Sequence, residues 1–413
     1  MKILYLAAYF SPENMAFSHL EHDMMEGFAT AGHTVEVICP TPTRGISDKV
    51  RAQYRYRKEE EMYGGQVHVH RFWAPREGRN PVIRAIRYFW CNLRMYQIGK
   101  RFHDIDIIFA NSTPPTQGLL GGALKKKISC SFVYNLQDIF PDSLINTGLS
   151  HKDSFLWRIG RIVENATYRS CDKIVVISEA FRHNLQEKGV STEKIEVIYN
   201  WIDTEEVHPI RKEKNKLFEE FNLDQNAFLV IYAGNLGSSQ DGQTILAAAD
   251  RLREHAEIQF AIFADGSEYV VLKNLAAQQS MKNVRFFPLL PQQRVSEVYS
   301  AGNVALITCK SGVGKTGMPS KAWSIMSAGT PIIAAFDTDS ELAQIIARAK
   351  CGRVVEAGRP EKLAAAILSA VQNAEELSMQ GKNGSSYVVA HHGKKAATEA
   401  YQTVMESVCH TNR

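Results

Sequence analysis

The sequence predicts an α/β protein of two doubly wound parallel-sheet domains facing a cleft. Three observations lead there. Apolar runs rich in Val, Ile and Phe recur from end to end of the chain. Helix-length patterns separate them, which is how parallel strands covered on both faces read. A charged stretch, TEEVHPIRKEKNKLFEE at Thr204–Glu220, splits the runs into two sets, and 413 residues suffice for two domains with a core each.

In order, the first set of strands is KILYLAAYF (2–10), TVEVICPT (34–41), QVHVHRF (66–72), DIIFANS (106–112), SFVYNLQD (131–138), KIVVISE (173–179) and KIEVIYN (194–200). The second set is FLVIYAG (228–234), IQFAIFADG (258–266), VRFFPLL (284–290), VALITC (304–309), PIIAAFD (331–337) and GRVVEAG (352–358). The first domain is expected over 1–204 and the second over 205–385. The helical segment 386–413 either caps the second domain or crosses back to the first. Sheets of this kind bind ligands in crevices at the carboxyl ends of their strands, so the turns after the strands are the places to look.

Bulk properties exclude several classes. A net charge of +4 with 22% charged residues is ordinary, and no run of 18 apolar residues exists to span a bilayer. The apolar start MKILYLAAYF is broken by Ser11-Pro12-Glu13 and reads as a first buried strand rather than a leader. Seven scattered cysteines without a CxxC pair suit a reduced, cytoplasmic chain. A pI near 8.5 without a recognised motif argues against nucleic acid.

The stretch CKSGVGKTGMPSK, Cys309–Lys321, contains GKT, the tail of a phosphate-binding loop. The full pattern needs a glycine where Cys309 stands and a helix starting at Lys315-Thr316, yet Gly317 and Pro319 follow. Proline belongs in a helix's first turn, so the helix is expected from Pro319-Ser320-Lys321 onward. That places Lys321 where its charge can meet a phosphate. Tyr232-Ala-Gly234-Asn235-Leu-Gly-Ser-Ser-Gln240 is a second small-residue turn suited to an anion, and Phe263-Ala-Asp265-Gly266-Ser267 a smaller one. In the first half, Asp138 follows a buried strand and Ser178 is placed to cap a helix carrying Arg182. The turn after the first strand, with Glu13 and Asn14, lacks the GxGxxG dinucleotide fingerprint. The triplets Asp104-Ile-Asp106 and Asp337-Thr-Asp339 have no third ligand at metal spacing, so capping and turn roles are expected of them and no metal.

Residues 79–103, RNPVIRAIRYFWCNLRMYQIGKRFH, are basic and aromatic. Two readings stand: a docking helix for an anionic membrane, or a core helix with a basic solvated face.

Taken in order, SPEN, GFATAGHTVEVICP, NLQDIFPDSL, CDKIVVISEAFRHNL, KIEVIYNWID, IYAGNLG, IFADGSE, VRFFPLLP and PSKAWSIMSAGTPIIAAFDTDSEL resemble glycosyltransferase family 4, the retaining GT-B enzymes. LQDIFP, AGNLG, PLLP and PSK are closest to an N-acetylfucosaminyltransferase-like bacterial branch of O-antigen and capsule assembly. The resemblance implies a GT-B fold, a nucleotide-sugar donor on the second domain and an acceptor on the first, where Glu13, Asn14 and Gln137 lie. It implies no metal or other cofactor. The Arg and Lys that hold the donor diphosphate in relatives align with Asn235 and Gln240, leaving Lys321 and Ser320 to offset that charge, with Arg182 and Asp138 as further catalytic candidates. The family's two glutamates align with Thr316 and Ser324, and its acidic "PE" residue with Glu341. Leu290 matches the position that contacts the base, implying uracil. Gln137 replaces the family's histidine near the sugar's C6 side, which implies a 6-deoxy sugar such as an N-acetyl-6-deoxyhexosamine. The acceptor implied is a lipid-diphosphate-linked saccharide, and the location the inner face of the cytoplasmic membrane, with 79–103 as its membrane contact. A catalytically silent nucleotide-sugar-binding subunit and a GT-B nucleotide-sugar 2-epimerase are the alternatives.

Overall fold

The computed structural model describes residues 1–13, 17–77, 81–143, 151–314 and 318–411. Its contacts divide the chain into two units, Met1–Tyr199 with Ala397–Arg413, and Asn200–Ala396. The boundary therefore falls at 199/200 rather than 204/205. The C-terminal segment is two helices: Ala374–His391 stays with the second unit, while Lys394–Thr411 joins the first from Ala397 onward.

The first unit holds an eight-stranded sheet. Its strands are β1 (Lys2–Leu6), β2 (Thr34–Pro40), β3 (Glu59–Met62), β4 (Val67–Phe72), β5 (Ile107–Asn111), β6 (Ser131–Leu136), β7 (Lys173–Val176) and β8 (Ile195–Val197). Their order is β3-β4-β2-β1-β5-β6-β7-β8, parallel throughout except that β3 runs antiparallel to β4. Ile3 to Leu6 and Ile107 to Ala110 are buried completely, as strands covered by helices on both faces must be. Each Ile, Leu and Phe among them contributes about 1.5–3 kcal/mol on burial.

Strand β3, EEEM, went unforeseen because three glutamates do not resemble a strand. It forms at the sheet edge, where Glu60 pairs at 2.9 Å with the buried guanidinium of Arg71 from β4. Charge on an edge strand also discourages further pairing.

The second unit holds six parallel strands: β9 (Phe228–Asn235), β10 (Ile258–Asp265), β11 (Val284–Pro288), β12 (Val304–Thr308), β13 (Ile332–Phe336) and β14 (Gly352–Glu356). The order is β11-β10-β9-β12-β13-β14. Connections run one way from β9 to β11 and the other way from β12 to β14. The sheet thus changes direction between β9 and β12, and a crevice opens outside the carboxyl ends of those two strands. The equivalent switch in the first unit lies between β1 and β5.

The basic segment departs from the second of its two readings, a core helix with a basic solvated face, because its outward side is apolar. Arg79 lies outside the described residues. The Pro81–Gly99 helix buries Arg87, Cys91 and Met95, and exposes Ile83, Ile86, Phe89 and Leu93. Arg87 turns inward because the Pro75 carbonyl (3.0 Å) and Thr43 Oγ1 (3.2 Å) accept its N–H groups. The outward stripe is apolar. Among the described residues no helix is long and apolar enough to cross a membrane.

Candidate active site

The second unit's crevice is built by the turns that leave β9 and β12. Tyr232 and Gly234 end β9, and the chain then loops through Asn235 to Gln240. That loop is tied down from inside. The Tyr232 hydroxyl donates to the Asn235 carbonyl (2.7 Å), and the Gln240 side-chain oxygen accepts from Gly237 N (3.0 Å) and Asn235 Nδ2 (3.4 Å). It is also tied to the β12 exit: Thr308 Oγ1 donates to the Gln240 carbonyl, and Lys310 N to the Ser239 carbonyl at 3.0 Å. Asn235 and Gln240 thus shape the turn.

Lys321 begins the short helix Lys321–Ser327. Its ammonium lies 4.1 Å from the centroid of the Tyr232 ring. Gly234 makes this approach possible: it adopts φ of +126°, and a Cβ there would sit 3.0 Å from Lys321 Nζ. The half-buried ammonium has no carboxylate or hydrogen-bond acceptor paired with it among the described residues. Desolvation alone pulls its pKa down to about 8. An aromatic face tempers the cost without cancelling the charge. A cation held this way, at the switch point of a parallel sheet, is arranged to receive an anion.

Gly266, with φ of +115°, ends β10 beside the same turn, where any side chain would collide with Asn235 Oδ1 and the Leu236 carbonyl. Asp265 contributes its carbonyl to Leu236 N at 2.6 Å and exposes its side chain. Leu290 follows the carboxyl end of β11. Ser320 is exposed and its side chain makes no capping bond, whereas Ser324 lies within the helix one turn after Lys321. Thr316 falls outside the described residues.

The glycines of the GKT-like turn have another task. Gly312 N and Gly314 N donate to the two carboxylate oxygens of Asp337, at 2.9 and 2.8 Å. Two of the amides that a phosphate loop would aim at its ligand are engaged by the protein's own anion. Nothing in the sequence spacing pointed to Asp337 as this clasp.

In the first unit, Gln137 N and Asp138 N donate to Ser112 Oγ at 3.0 and 3.1 Å, fixing the β6 exit against the β5 exit, one strand from that sheet's switch point. Gln137 Nε2 donates to Asn135 Oδ1 (3.1 Å), which also accepts from the Tyr401 hydroxyl (3.1 Å). Asn135 Nδ2 in turn donates to Asn111 Oδ1 (2.8 Å), Asn111 Nδ2 to the Tyr5 hydroxyl (2.5 Å), and that hydroxyl to Glu21 Oε1 (2.6 Å). Burial pushes the Glu21 carboxyl up to about 8. Asp138 is exposed, and partial desolvation raises its pKa against hydrogen bonds from Ser143 and Ile139 N that lower it.

Two first-unit candidates are less free than their sequence context suggests. Glu13 is buried, and its carboxylate accepts from Thr43 N (2.7 Å), Arg44 N (2.8 Å) and Phe10 N (3.3 Å), clasping the β1 and β2 exits together. Arg182 Nη1 lies 2.9–3.0 Å from both carboxylate oxygens of Glu179, one turn earlier on its own helix. Asn14 falls outside the described residues. The triplet Asp104-Ile-Asp106 binds Lys2, by its ammonium (2.8 Å) and its backbone N (2.8 Å) respectively.

Known proteins match this arrangement along nearly the whole chain. Residues 21–206 fit the model of Glycosyltransferase Family 4, and residues 213–387 that of Glycosyl transferases group 1. Pseudomonas aeruginosa WbjE, named a glycosyltransferase, is 27% identical over 67% of this chain and 69% of its own. Escherichia coli (strain K12) WcaI, named for glycosyl transfer in colanic acid biosynthesis, is 26% identical over 84% and 86%. Two solved structures share the fold: sucrose-phosphate synthase of Thermosynechococcus elongatus, with a TM-score of 0.73 at 16% identity over 99% of each chain, and Anabaena HepE in complex with UDP, with 0.69 at 16% identity over 98% and 100%. One family match on each parallel-sheet unit, in this order, together with the shared architecture, makes the chain a GT-B glycosyltransferase of the family 4 type.

Proposed function

We propose that the chain moves a glycosyl group from a nucleotide sugar to a lipid-linked saccharide during cell-envelope polysaccharide synthesis, with retention at the anomeric carbon. The observation that carries this reading is the unpaired Lys321 ammonium on Tyr232, at the switch point of the second unit's sheet. The names of WbjE and WcaI, and the UDP bound to HepE, support the reaction class and the donor type.

Charge accumulates on the leaving diphosphate as the glycosidic bond breaks, so stabilisation there is the largest contribution to lowering the barrier. Lys321 supplies a positive charge in a partly desolvated place, where it acts more strongly than in water. The departing phosphate itself takes the acceptor hydroxyl's proton, so the reaction needs no pair of carboxylates at glycosidase spacing. We assign the donor as a UDP-N-acetyl-6-deoxyhexosamine or UDP-N-acetylhexosamine, with Gln137 tolerating the missing C6 hydroxyl, and no metal taking part. The place of action is the inner face of the cytoplasmic membrane.

A thermal-shift screen of UDP-, GDP- and TDP-sugars tests the donor side first, because a ligand that binds only the folded state raises its melting temperature. Stabilisation by UDP-sugars and transfer to a lipid extract is expected. Binding without turnover would instead indicate a silent subunit, and clear preference for a 6-hydroxylated sugar would remove the role given to Gln137.

A further inference from the structure

The first unit has a cavity of about 640 Å³ that the donor chemistry does not use. It lies beyond the carboxyl ends of β2 and β4, whose exits are joined where Thr41 N donates to the Phe72 carbonyl at 2.8 Å. Arg51, Arg55 and Arg76 line it, with Asp48 as the one carboxylate in its wall. Arg51 is engaged, by Nη1 with Asp48 and by Nη2 with the Thr43 carbonyl at 3.3 Å. Arg55 rests on the Tyr56 ring at 5.4 Å, and neither it nor Arg76 has a carboxylate partner among the described residues. Behind the wall, the fully buried Arg87 donates to Thr43 Oγ1, and its Nη1 is left without a partner. Glu13 is the nearby carboxylate that balances Arg87, so Arg87 is left out of the charge count. Three lining guanidinium groups less one carboxylate leave the cavity two positive charges in excess.

At its rim stands Trp73, 65% exposed. Trp73 packs edge-on against Trp90 at 6.2 Å, and Trp90 Nε1 donates to the Trp73 carbonyl at 3.0 Å. Trp90 belongs to the Pro81–Gly99 helix, whose outer side exposes Ile83, Ile86, Phe89 and Leu93. At 1.5 Å per residue these four mark an apolar stripe about 15 Å long. Isolated exposed apolar residues are common, but a continuous stripe beside an arginine-lined hollow is not.

We propose that this combination binds the acceptor's anchor: the diphosphate of a long-chain lipid diphosphate saccharide sits among Arg51, Arg55 and Arg76, and the hydrocarbon chain runs past Trp73 along the Ile83–Leu93 stripe. A diphosphate diester carries two negative charges, which matches the excess in the cavity, and guanidinium groups are suited to phosphate oxygens. Burying the chain on the stripe supplies the apolar part of the affinity. The assignment rests on the acceptor reading above and is tested apart from the donor side.

The test is flotation with phosphatidylcholine vesicles that contain a polyprenyl diphosphate, against phosphatidylglycerol vesicles of equal surface charge and neutral phosphatidylcholine vesicles. The full chain is expected to bind the diphosphate vesicles at least about tenfold more tightly than the phosphatidylglycerol ones, two charge-assisted contacts being worth that much or more. Arg55→Ala/Arg76→Ala should lose about tenfold on diphosphate vesicles and weaken for soluble pyrophosphate as well. Ile86→Ser/Phe89→Ser should lose the vesicles and keep pyrophosphate. All four residues are partly or fully exposed, and thermal stabilisation by UDP-sugars serves as the control for folding and for the donor site. Equal binding to phosphatidylglycerol vesicles, or an arginine variant that binds like the parent, overturns the assignment while UDP-sugar stabilisation persists. Loss of both responses in the unaltered chain would overturn the transferase reading itself.

Discussion

At the residue scale, Lys321 sets two opposing pH dependences. Its folded pKa of about 8 lies below the ordinary lysine value of 10.5, so the folded state holds this proton less tightly than the unfolded chain does. The cost of keeping it charged is fully present below pH 8 and is relieved as pH rises from about 8 to 10.5, so this residue's contribution to stability improves across that window. Activity should move the other way. The free enzyme loses the ammonium above about pH 8, and kcat/KM, which reports free-enzyme pKa values, should fall there. Lys321→Met should separate the two effects, raising the melting temperature at pH 7 while costing about 2–4 kcal/mol in kcat/KM, roughly 30- to 900-fold. A variant with unchanged kcat/KM and an unchanged alkaline limb would take Lys321 out of the reaction. Sequence reasoning could find this lysine, because a proline and a serine before it mark a helix start. It could not find Tyr232 or explain Gly234, since the contact between them and Lys321 joins β9 to a helix some 90 residues later.

At the scale of elements, strands buried on both faces were readable because an uninterrupted β-branched run has few other places to go. What escaped were features decided by pairing. Strand β3 exists because β4 offers an edge and Arg71 a countercharge, neither visible in EEEM. The Pro81–Gly99 helix reads as basic because composition counts Arg87 without knowing that two oxygens wait for it inside. The GKT-like turn is a third case: its meaning depends on Asp337, which follows the next strand. Replacing Asp337 by Ala removes an acceptor from two backbone N–H groups, one of them buried, at a cost of about 1–3 kcal/mol. Amide exchange at Gly312 and Gly314 should accelerate, and the donor's KM should rise, because the same segment is tied through Lys310 N to the Asn235–Gln240 loop. Unaltered protection of those two amides would show that the clasp does not order the turn. Were the turn a phosphate loop after all, freeing its amides would instead tighten binding of a nucleoside triphosphate.

At the scale of the molecule, the chain does not finish where its second sheet does. The helix Lys394–Thr411 returns to the first unit and buries Ala397, Tyr401, Val404, Met405 and Val408 there, with Tyr401 and Met405 fully enclosed. Gly27 allows the approach, since a Cβ at that position would lie 2.9 Å from the Thr398 side chain. Ser131 Oγ donates to the Val408 carbonyl at 3.2 Å, and the Tyr401 ring packs edge-on against Phe109 at 5.9 Å. Periodicity alone showed the segment to be helical and left open which unit it covers. Two fully buried large side chains and three smaller ones contribute about 5 kcal/mol or more together, comparable with the entire net stability of a domain. A chain ending at residue 396 should therefore lose the first unit's cooperative fold while the second unit, whose contacts run from 200 to 396, keeps its own. Hydrogen exchange can read the units separately: amides of β1, β5 and β6 should lose protection and those of β9, β10 and β12 should retain it. Protected β1 and β5 amides in the shortened chain would refute this. Tyr401→Phe is the gentler version. It keeps the packing and removes only the hydroxyl that shares Asn135 Oδ1 with Gln137, so the fold should survive with a loss of about 1 kcal/mol. Any further effect should appear in the preference between 6-deoxy and 6-hydroxylated donors, because the oxygen released from Tyr401 is the one that positions Gln137.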